Sequence, residues 1–140
     1  MDPVSALGVA AAACQFAGLT ANVADGLYSY YRKVRQAPKL SKELRKEALL
    51  LSDVLEDLKS TLPADVPIHS PSSPSGALSN IVNEFAESIK KIAERIEIND
   101  RELSLKRLKW PFTQEENETY FKKLERFKSS FQLVLQTVQK

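Results

Sequence analysis

The sequence has few of the residues on which β-sheets and loop-based catalytic sites depend. Glycine occurs only four times in 140 residues, at widely separated positions, which excludes a glycine-rich phosphate-binding loop. Alternation of apolar and polar residues is nearly absent, which argues against a mainly β-sheet fold. A nucleophile elbow and an H-E-x-x-H zinc motif are also missing.

Cysteine and histidine each occur once. Cys14 has no partner for an intrachain disulfide and lies among apolar residues, so we expect a buried, unreactive thiol in a cytosolic chain. No cysteine or carboxylate cluster surrounds His69 at ligand spacing, so we expect no metal site. These two residues do not form a catalytic pair, and we therefore expect no enzymatic activity, no cofactor and no small-molecule substrate.

The charges of the chain are almost balanced. Twenty basic and eighteen acidic residues leave a net charge of +2, which is too small to indicate nucleic-acid binding. Hydrophobic residues make up 43% of the chain, which excludes a disordered protein. A chain of this length buries a core, and we expect one domain over residues 1–140.

Apolar residues recur every three or four positions in four long segments, which predicts four amphipathic helices. The first begins at Pro3, with Asp2 as its N-cap, and continues as one helix until Pro38 ends it. Gly18 and Gly26 are the predicted positions of any bend. A second helix follows Ser41, its predicted N-cap. Leu49, Leu50 and Val54 widen its apolar face, which predicts burial on more than one side.

The second half of the chain contains the other two helices. The third is predicted over residues 77–98, with Asn99-Asp100 as its end, and a short helix over residues 101–110. Thr113 and Glu116 match a capping box at the start of the last helix. Residues 63–76, PADVPIHSPSSPSG, predict a flexible loop. The pattern predicts an all-α fold, a four-helix bundle with one additional short helix before the last helix.

The segment from Val4 to Ala24 carries no charge. Its 21 residues could cross a hydrocarbon core, but eight of them are alanine. No basic residue precedes the segment, which argues against a signal peptide. Two interpretations remain, a buried helix of the resting bundle and a segment that engages a membrane. Its strongly apolar residues, the candidate membrane-engaging set, are Val4, Leu7, Val9, Phe16, Leu19 and Val23.

Aromatic and basic residues follow this segment directly, an order that membrane–water interfaces favour. The residues between Arg32 and Lys46, both included, contain seven basic residues and one acid. Such a cluster binds anionic lipid, and the alternative is a solvated corner between two helices. The candidate lipid head-group contacts are Tyr28, Tyr30, Tyr31, Arg32, Lys33 and Arg35.

The only tryptophan lies in the segment RLKWPF. Trp110 and Phe112 are predicted to plug one end of the bundle, because tryptophan is highly buried on average. The alternative is an anchor for a protein partner.

Three blocks of the sequence resemble the HeLo-like N-terminal domain of fungal STAND proteins, the NOD-like receptors of filamentous fungi. They are MDPVSALGVAAAACQ, KVRQAPKLSKELRKEALLLSDVLEDL and, most specific of the three, LKWPFTQEENETYFKKLERFKSSFQLVLQ. At the level of the fold, the chain is also similar to the HeLo domain and to the four-helix bundle of the mixed-lineage kinase-like necroptosis executioner.

The resemblance implies a helical bundle that executes regulated cell death. Activation would cluster the domains, and the helix from Val4 to Ala24 would engage or permeabilise the plasma membrane. The implied partners are copies of the domain or related receptor domains, and anionic membrane lipids, for a protein that is cytoplasmic at rest. The alternative is a soluble interaction module without membrane activity, which the wide apolar face of the second helix favours.

Overall fold

Five α-helices account for most of the chain. The computed structural model describes residues 3–34, 37–62, 77–102 and 110–139, and these residues contain no strand. The helices form a helical bundle, so the predicted all-α class is confirmed. They are α1 (Pro3–Cys14), α2 (Ala17–Lys33), α3 (Ser41–Thr61), α4 (Ala77–Glu102) and α5 (Gln114–Val138).

The first predicted helix is two helices. It begins at Pro3, as expected, but the prediction of one helix up to Pro38 is wrong, because the chain bends by 53° between α1 and α2. The carbonyl oxygen of Phe16 accepts hydrogen bonds from both the N–H and the hydroxyl of Thr20, at 2.9 and 2.7 Å. A threonine hydroxyl bonded one turn back in this way often bends a helix. The break between α1 and α2 falls at residues 15–16, before Gly18 and well before Gly26.

Two further helix ends differ from the prediction. Ser41 does not cap α3, because Leu40 holds the N-cap position in a left-handed conformation with φ 70°. Asn99-Asp100 does not end α4, which continues to Glu102, since the low helix propensity of these residues costs only a few tenths of a kcal/mol each. The rest of the predicted short helix, residues 103–109, and the predicted loop over residues 63–76 with His69 lie outside the described residues.

The capping box at the start of α5 is confirmed. The Thr113 hydroxyl accepts from the N–H of Glu116 at 3.1 Å, and the Glu116 carboxylate accepts from the N–H of Thr113 at 2.9 Å. That N–H, helped by Arg95 of α4, holds the pKa of Glu116 below its usual range. The capping box therefore stabilises the fold at pH values above the ordinary pKa of glutamate. This stabilisation is lost as the Glu116 carboxylate becomes protonated in acid.

The core has α1 at its centre. α1 packs against α3, α4 and α5, while α2 packs on α3 and α4. The largest fully buried side chains are three phenylalanines from α4 and α5. Phe85 makes edge-to-face contacts with Phe127 and Phe131 at centroid distances of 5.5 and 5.1 Å. These three rings and the buried leucines of α3 (Leu44, Leu51, Leu55 and Leu58) are among the largest apolar side chains that stabilise the bundle.

The wide apolar face of α3 is only partly buried. α3 contacts α1, α2 and α5, and Val54 is buried as predicted. Leu49 and Leu50 are not part of the core, because they remain 51% and 45% exposed. Their prediction as buried residues is wrong, since the neighbouring helices cover the opposite face and the flanks of α3.

Phe127→Ala tests the phenylalanine core. It leaves a cavity at a fully buried position, and we expect the free energy of unfolding to fall by about 3–5 kcal/mol. The matched control is Leu133→Ala, because Leu133 lies on the same helix but is 61% exposed. Its effect should stay below about 0.5 kcal/mol. Urea denaturation followed by circular dichroism measures both, and equal losses would contradict this orientation of α5.

Candidate functional site

α1 is a core helix built almost entirely from small side chains. Among its buried residues only Val9 is larger than cysteine, and four of the rest are alanines with less than a tenth of their surface exposed. Small side chains allow α3, α4 and α5 to approach the α1 backbone closely. The buried set is Ala6, Val9, Ala10, Ala11, Ala13 and Cys14.

Cys14 ends α1 inside the bundle. Its thiol lies 3.9 Å from the carbonyl oxygen of Leu55 in α3, a weak hydrogen bond. Burial raises the pKa of the Cys14 thiol to about 11, so the thiolate is scarce at neutral pH. The environment of Cys14 is therefore that of the buried, unreactive thiol predicted from the sequence.

None of the candidate membrane-engaging side chains that the structure describes is exposed in this state. Val9 and Val23 are buried, Leu7, Phe16 and Leu19 are half-buried, and the side chain of Val4 lies outside the described residues. Phe16, at the bend, packs edge-to-face on Phe85 with a centroid distance of 5.9 Å. In the described conformation the bundle buries apolar atoms that would contact lipid if the segment entered a membrane.

No single helix among the described residues is both long and apolar enough to cross a membrane. One bent pair meets the criteria of length and composition: Ala6–Cys14 of α1 together with α2. Soluble core helices meet the same criteria, so this finding leaves both interpretations of the uncharged segment open.

The aromatic and basic residues at the end of α2 form a stacked surface cluster. The guanidinium of Arg45 in α3 lies 5.0 Å from the ring centroid of Tyr28 and 5.1 Å from that of Tyr31. Arg32 covers Tyr28 from its own helix at 5.6 Å. Tyr28 is 46% exposed, and Arg32 and Lys33 are exposed beside it. We call Tyr28, Tyr31, Arg32, Lys33 and Arg45 the aromatic–basic cluster.

One of the predicted head-group contacts, Tyr30, does not belong to this cluster. Tyr30 is buried, and its hydroxyl donates to the carbonyl oxygen of Ile96 in α4 at 3.4 Å. Arg35 lies outside the described residues. Arg45 was missed as an individual residue, although it belongs to the basic run between Arg32 and Lys46. Its distance in sequence from the tyrosines gave no sign that it stacks on them.

Trp110 and Phe112 are both buried at one end of the bundle. Trp110 makes edge-to-face contacts with Tyr31 of α2 and with Phe112, at centroid distances of 6.3 and 6.4 Å. Its indole N–H donates to the Asn117 side-chain oxygen at 2.7 Å. The tryptophan thus joins α2 to the start of α5, next to the aromatic–basic cluster.

Asn117 is the residue at this end that sequence analysis missed. Besides accepting from Trp110, its side-chain amide donates to the carbonyl oxygen of Lys39 at 2.9 Å and to the Ser41 hydroxyl at 2.8 Å. The Ser41 hydroxyl in turn donates to the carbonyl oxygen of Pro38 at 2.7 Å. Asn117 is fully buried, and it fastens the α2–α3 connection to α5.

No three histidine, cysteine, aspartate or glutamate side chains in the described part of the chain are grouped so that they could hold a metal ion. Comparison with protein-family models, with curated proteins and with solved structures finds no match for the chain. The features of this chain that bear on function are therefore the placement of α1, the aromatic–basic cluster and the exposed face of α3.

Asn117→Ala tests the hydrogen bonds that hold the α2–α3 connection and Trp110 to α5. It leaves the Trp110 indole N–H and the Lys39 carbonyl without their partner, and we expect a loss of about 2–4 kcal/mol in the free energy of unfolding. Asn83→Ala, at an exposed asparagine of α4, should cost less than about 0.5 kcal/mol. Urea denaturation followed by the fluorescence of Trp110, the only tryptophan, measures both. Equal stability of the two variants would contradict the role assigned to Asn117.

Proposed function

We propose that this chain is a HeLo-like four-helix bundle with an additional short helix before α5, and a non-enzymatic effector of regulated cell death. It acts by oligomerisation and by engaging anionic membranes through α1 and α2. The observation that carries the proposal is the bent pair α1–α2, which carries no charge up to Ala24 and is held in the core by small side chains. The last turns of α2 then contribute four of the five residues of the aromatic–basic cluster. The sequence resemblance to the HeLo-like domain of fungal NOD-like receptors supports the same function.

The contacts that hold α1 are weaker than those among its neighbours. A buried alanine contributes about one methyl group, or about 0.8 kcal/mol, whereas a buried leucine or phenylalanine contributes about 1.5–3 kcal/mol. Ion pairs also connect the neighbours: Arg95 with Glu116 and Arg126 with Glu84 join α4 to α5. Between Ala6 and Cys14 the side chains of α1 offer only the Cys14 thiol for polar contact. Lipid can therefore replace the contacts of α1 more readily than the ion pairs that join its neighbours.

A membrane offers the released segment a second environment. The apolar atoms of Val9, Phe16 and Val23 would exchange protein neighbours for lipid, and the alanines would allow close packing between copies. Insertion of one copy is marginal because alanine is weakly apolar. Clustering raises the effective concentration of the segment and shifts the population toward the inserted state, so oligomerisation and membrane entry depend on each other.

The aromatic–basic cluster lies where such a segment would reach the membrane surface. Tyr28 is exposed within α2, and Arg32 and Lys33 form its last turn. Tyrosine rings suit the head-group region, and each cation near an anionic surface contributes about 1 kcal/mol. The bundle presents these side chains without unfolding, so first contact with the membrane needs no conformational change.

Gly18→Glu separates membrane entry from folding. Gly18 is exposed, and a side chain there meets no atom within 4 Å. Glutamate in the first turn of α2 should preserve or raise the stability of the bundle. In the membrane the same charge would cost about 3 kcal/mol per copy. We expect dye leakage from anionic liposomes, induced by a fused oligomerisation domain, to fall at least about tenfold.

The control for this experiment is Gly18→Ala, which also removes the glycine but adds no charge. It should keep full leakage and raise the free energy of unfolding by about 0.5–1 kcal/mol. Undiminished leakage by the glutamate variant would refute entry of α1–α2 into the membrane. Absence of leakage by the clustered wild-type protein would refute the membrane activity itself.

Neutralisation of Arg32 and Lys33 tests the aromatic–basic cluster. Arg32→Gln/Lys33→Gln should weaken binding to anionic vesicles by about tenfold to thirtyfold, because two cations near the surface are lost. The matched control, Lys91→Gln/Lys122→Gln, removes the same charge from side chains that are 60% and 70% exposed elsewhere. Vesicle co-sedimentation should show little loss for the control. Equal losses would attribute the binding to net charge rather than to this cluster.

A second candidate function is a soluble interaction module. The observation that favours it is the exposure of Leu49 and Leu50 on α3, because adjacent exposed leucines often mark a protein contact. This function predicts self-association in solution together with no leakage under forced clustering, and the liposome experiment therefore separates the two.

A further inference from the structure

The outward face of α3 carries an ordered pattern of charges. Lys42, Lys46, Asp53 and Asp57 are all exposed, and their spacing of four, seven and four positions places them along one ridge of the helix. Leu49 and Leu50 lie halfway along this ridge and flank it on opposite sides. The two lysines precede the leucines and the two aspartates follow them. We call these six residues the α3 outer face.

The fold of a single chain does not explain these charges. The lysines lie near the N-terminus of α3 and the aspartates near its C-terminus, which is opposite to the preference of the helix dipole. Lys42 with Lys46, and Asp53 with Asp57, are also like-charge pairs one turn apart. In the part of the chain that the structure describes, no ion pair with another helix involves any of these four side chains.

The order of charges along the α3 outer face is complementary to the same order read in the opposite direction along the helix. Lys46 and Asp53 are equally distant from the midpoint between Leu49 and Leu50, and the same holds for Lys42 and Asp57. We infer that the α3 outer face binds the same face of a second copy of this chain, antiparallel and about a two-fold axis through that midpoint. Each lysine then faces an aspartate of the other copy, and the exposed leucines meet their counterparts at the centre.

The remaining acids of α3 are compatible with this pairing. Glu43 and Glu56 are exposed but lie toward opposite flanks of the helix, so the two-fold axis does not bring them together. The opposed helices also place the positive end of each helix dipole beside the aspartates of the other copy. The contact is one helix wide, which fits a weak dimer that forms when copies are already concentrated.

This inference supplies a surface for the self-association in the proposed function, and it does not depend on membrane activity. Sedimentation over a concentration series without lipid should show a reversible monomer–dimer equilibrium. Raising the salt concentration to about 0.3 M should weaken it, because the charge pairs are exposed. A strict monomer up to millimolar concentration would overturn the inference and leave the liposome experiment unaffected.

Two single charge reversals test the two-fold register. Lys46→Glu places glutamate opposite Asp53 at both symmetry-related positions, and Asp53→Lys places lysine opposite Lys46. Each variant alone should dimerise about tenfold or more weakly than the wild type, since like charges face each other twice. Both substituted side chains are exposed, so the fold should be retained, as circular dichroism would show.

Mixing the two variants gives the decisive result. In a heterodimer, Glu at position 46 of one copy faces Lys at position 53 of the other, and the unchanged Asp53 and Lys46 face each other at the second position. We expect the mixture to dimerise at nearly the wild-type affinity, and the double variant Lys46→Glu/Asp53→Lys to do the same. Leu133→Ala, at an exposed leucine of α5, is the control without effect. A mixture as weak as its components would overturn the antiparallel two-fold pairing.

Discussion

The insertion of α1 between α3, α4 and α5 is the contact on which the rest of the bundle depends. α4 and α5 meet directly through their phenylalanines and ion pairs, and α1 packs against both of them and against α3. Ala6, Ala10 and Ala13 have no exposed surface, so larger side chains there would push the neighbouring helices apart. The small residues that make α1 suitable for the centre also make its burial weakly favourable, because a methyl group removes little apolar area from water.

The other helices are fastened by interactions that α1 lacks. α3 and α5 are joined by a nearly buried ion pair, Glu47 with Lys128 at 2.9 Å, and by the hydrogen bonds of Asn117. α2 is held to α3 by the stacking of Arg45 on two tyrosines, and to α4 by Tyr30. Polar and aromatic contacts depend on geometry and favour one arrangement, whereas the contacts of α1 are small and apolar and could be replaced by lipid. Because α1 is held by smaller and less directional contacts than the other helices, a second state in which α1 contacts lipid instead of the bundle is physically reasonable.

The sequence predicts the parts of this fold that depend on local pattern. The period of apolar residues locates α3, α4 and α5 to within a few residues, and the capping box marks the start of α5. The three fully buried phenylalanines lie within these predicted helices. The bend at Phe16 could not be predicted with equal certainty, because Thr20 back-bonds to a carbonyl in some helices and not in others. The role of Asn117 could not be predicted at all. It lies in the polar run QEENE, and its partners Ser41 and Lys39 are 76 and 78 positions away.

α1 and the α3 outer face, the two features that bear on the proposed function, lie on opposite sides of α3. α1 contacts the inner face of α3, as the Cys14–Leu55 contact shows, whereas Leu49 and Leu50 lie on the outer face. A second copy on the α3 outer face would therefore not contact the side of α3 against which α1 packs. Such pairing does not itself weaken the contacts that hold α1. In the proposed function, such pairing would act by bringing two copies of the α1–α2 segment close together, so that release of one segment would provide a partner for the next.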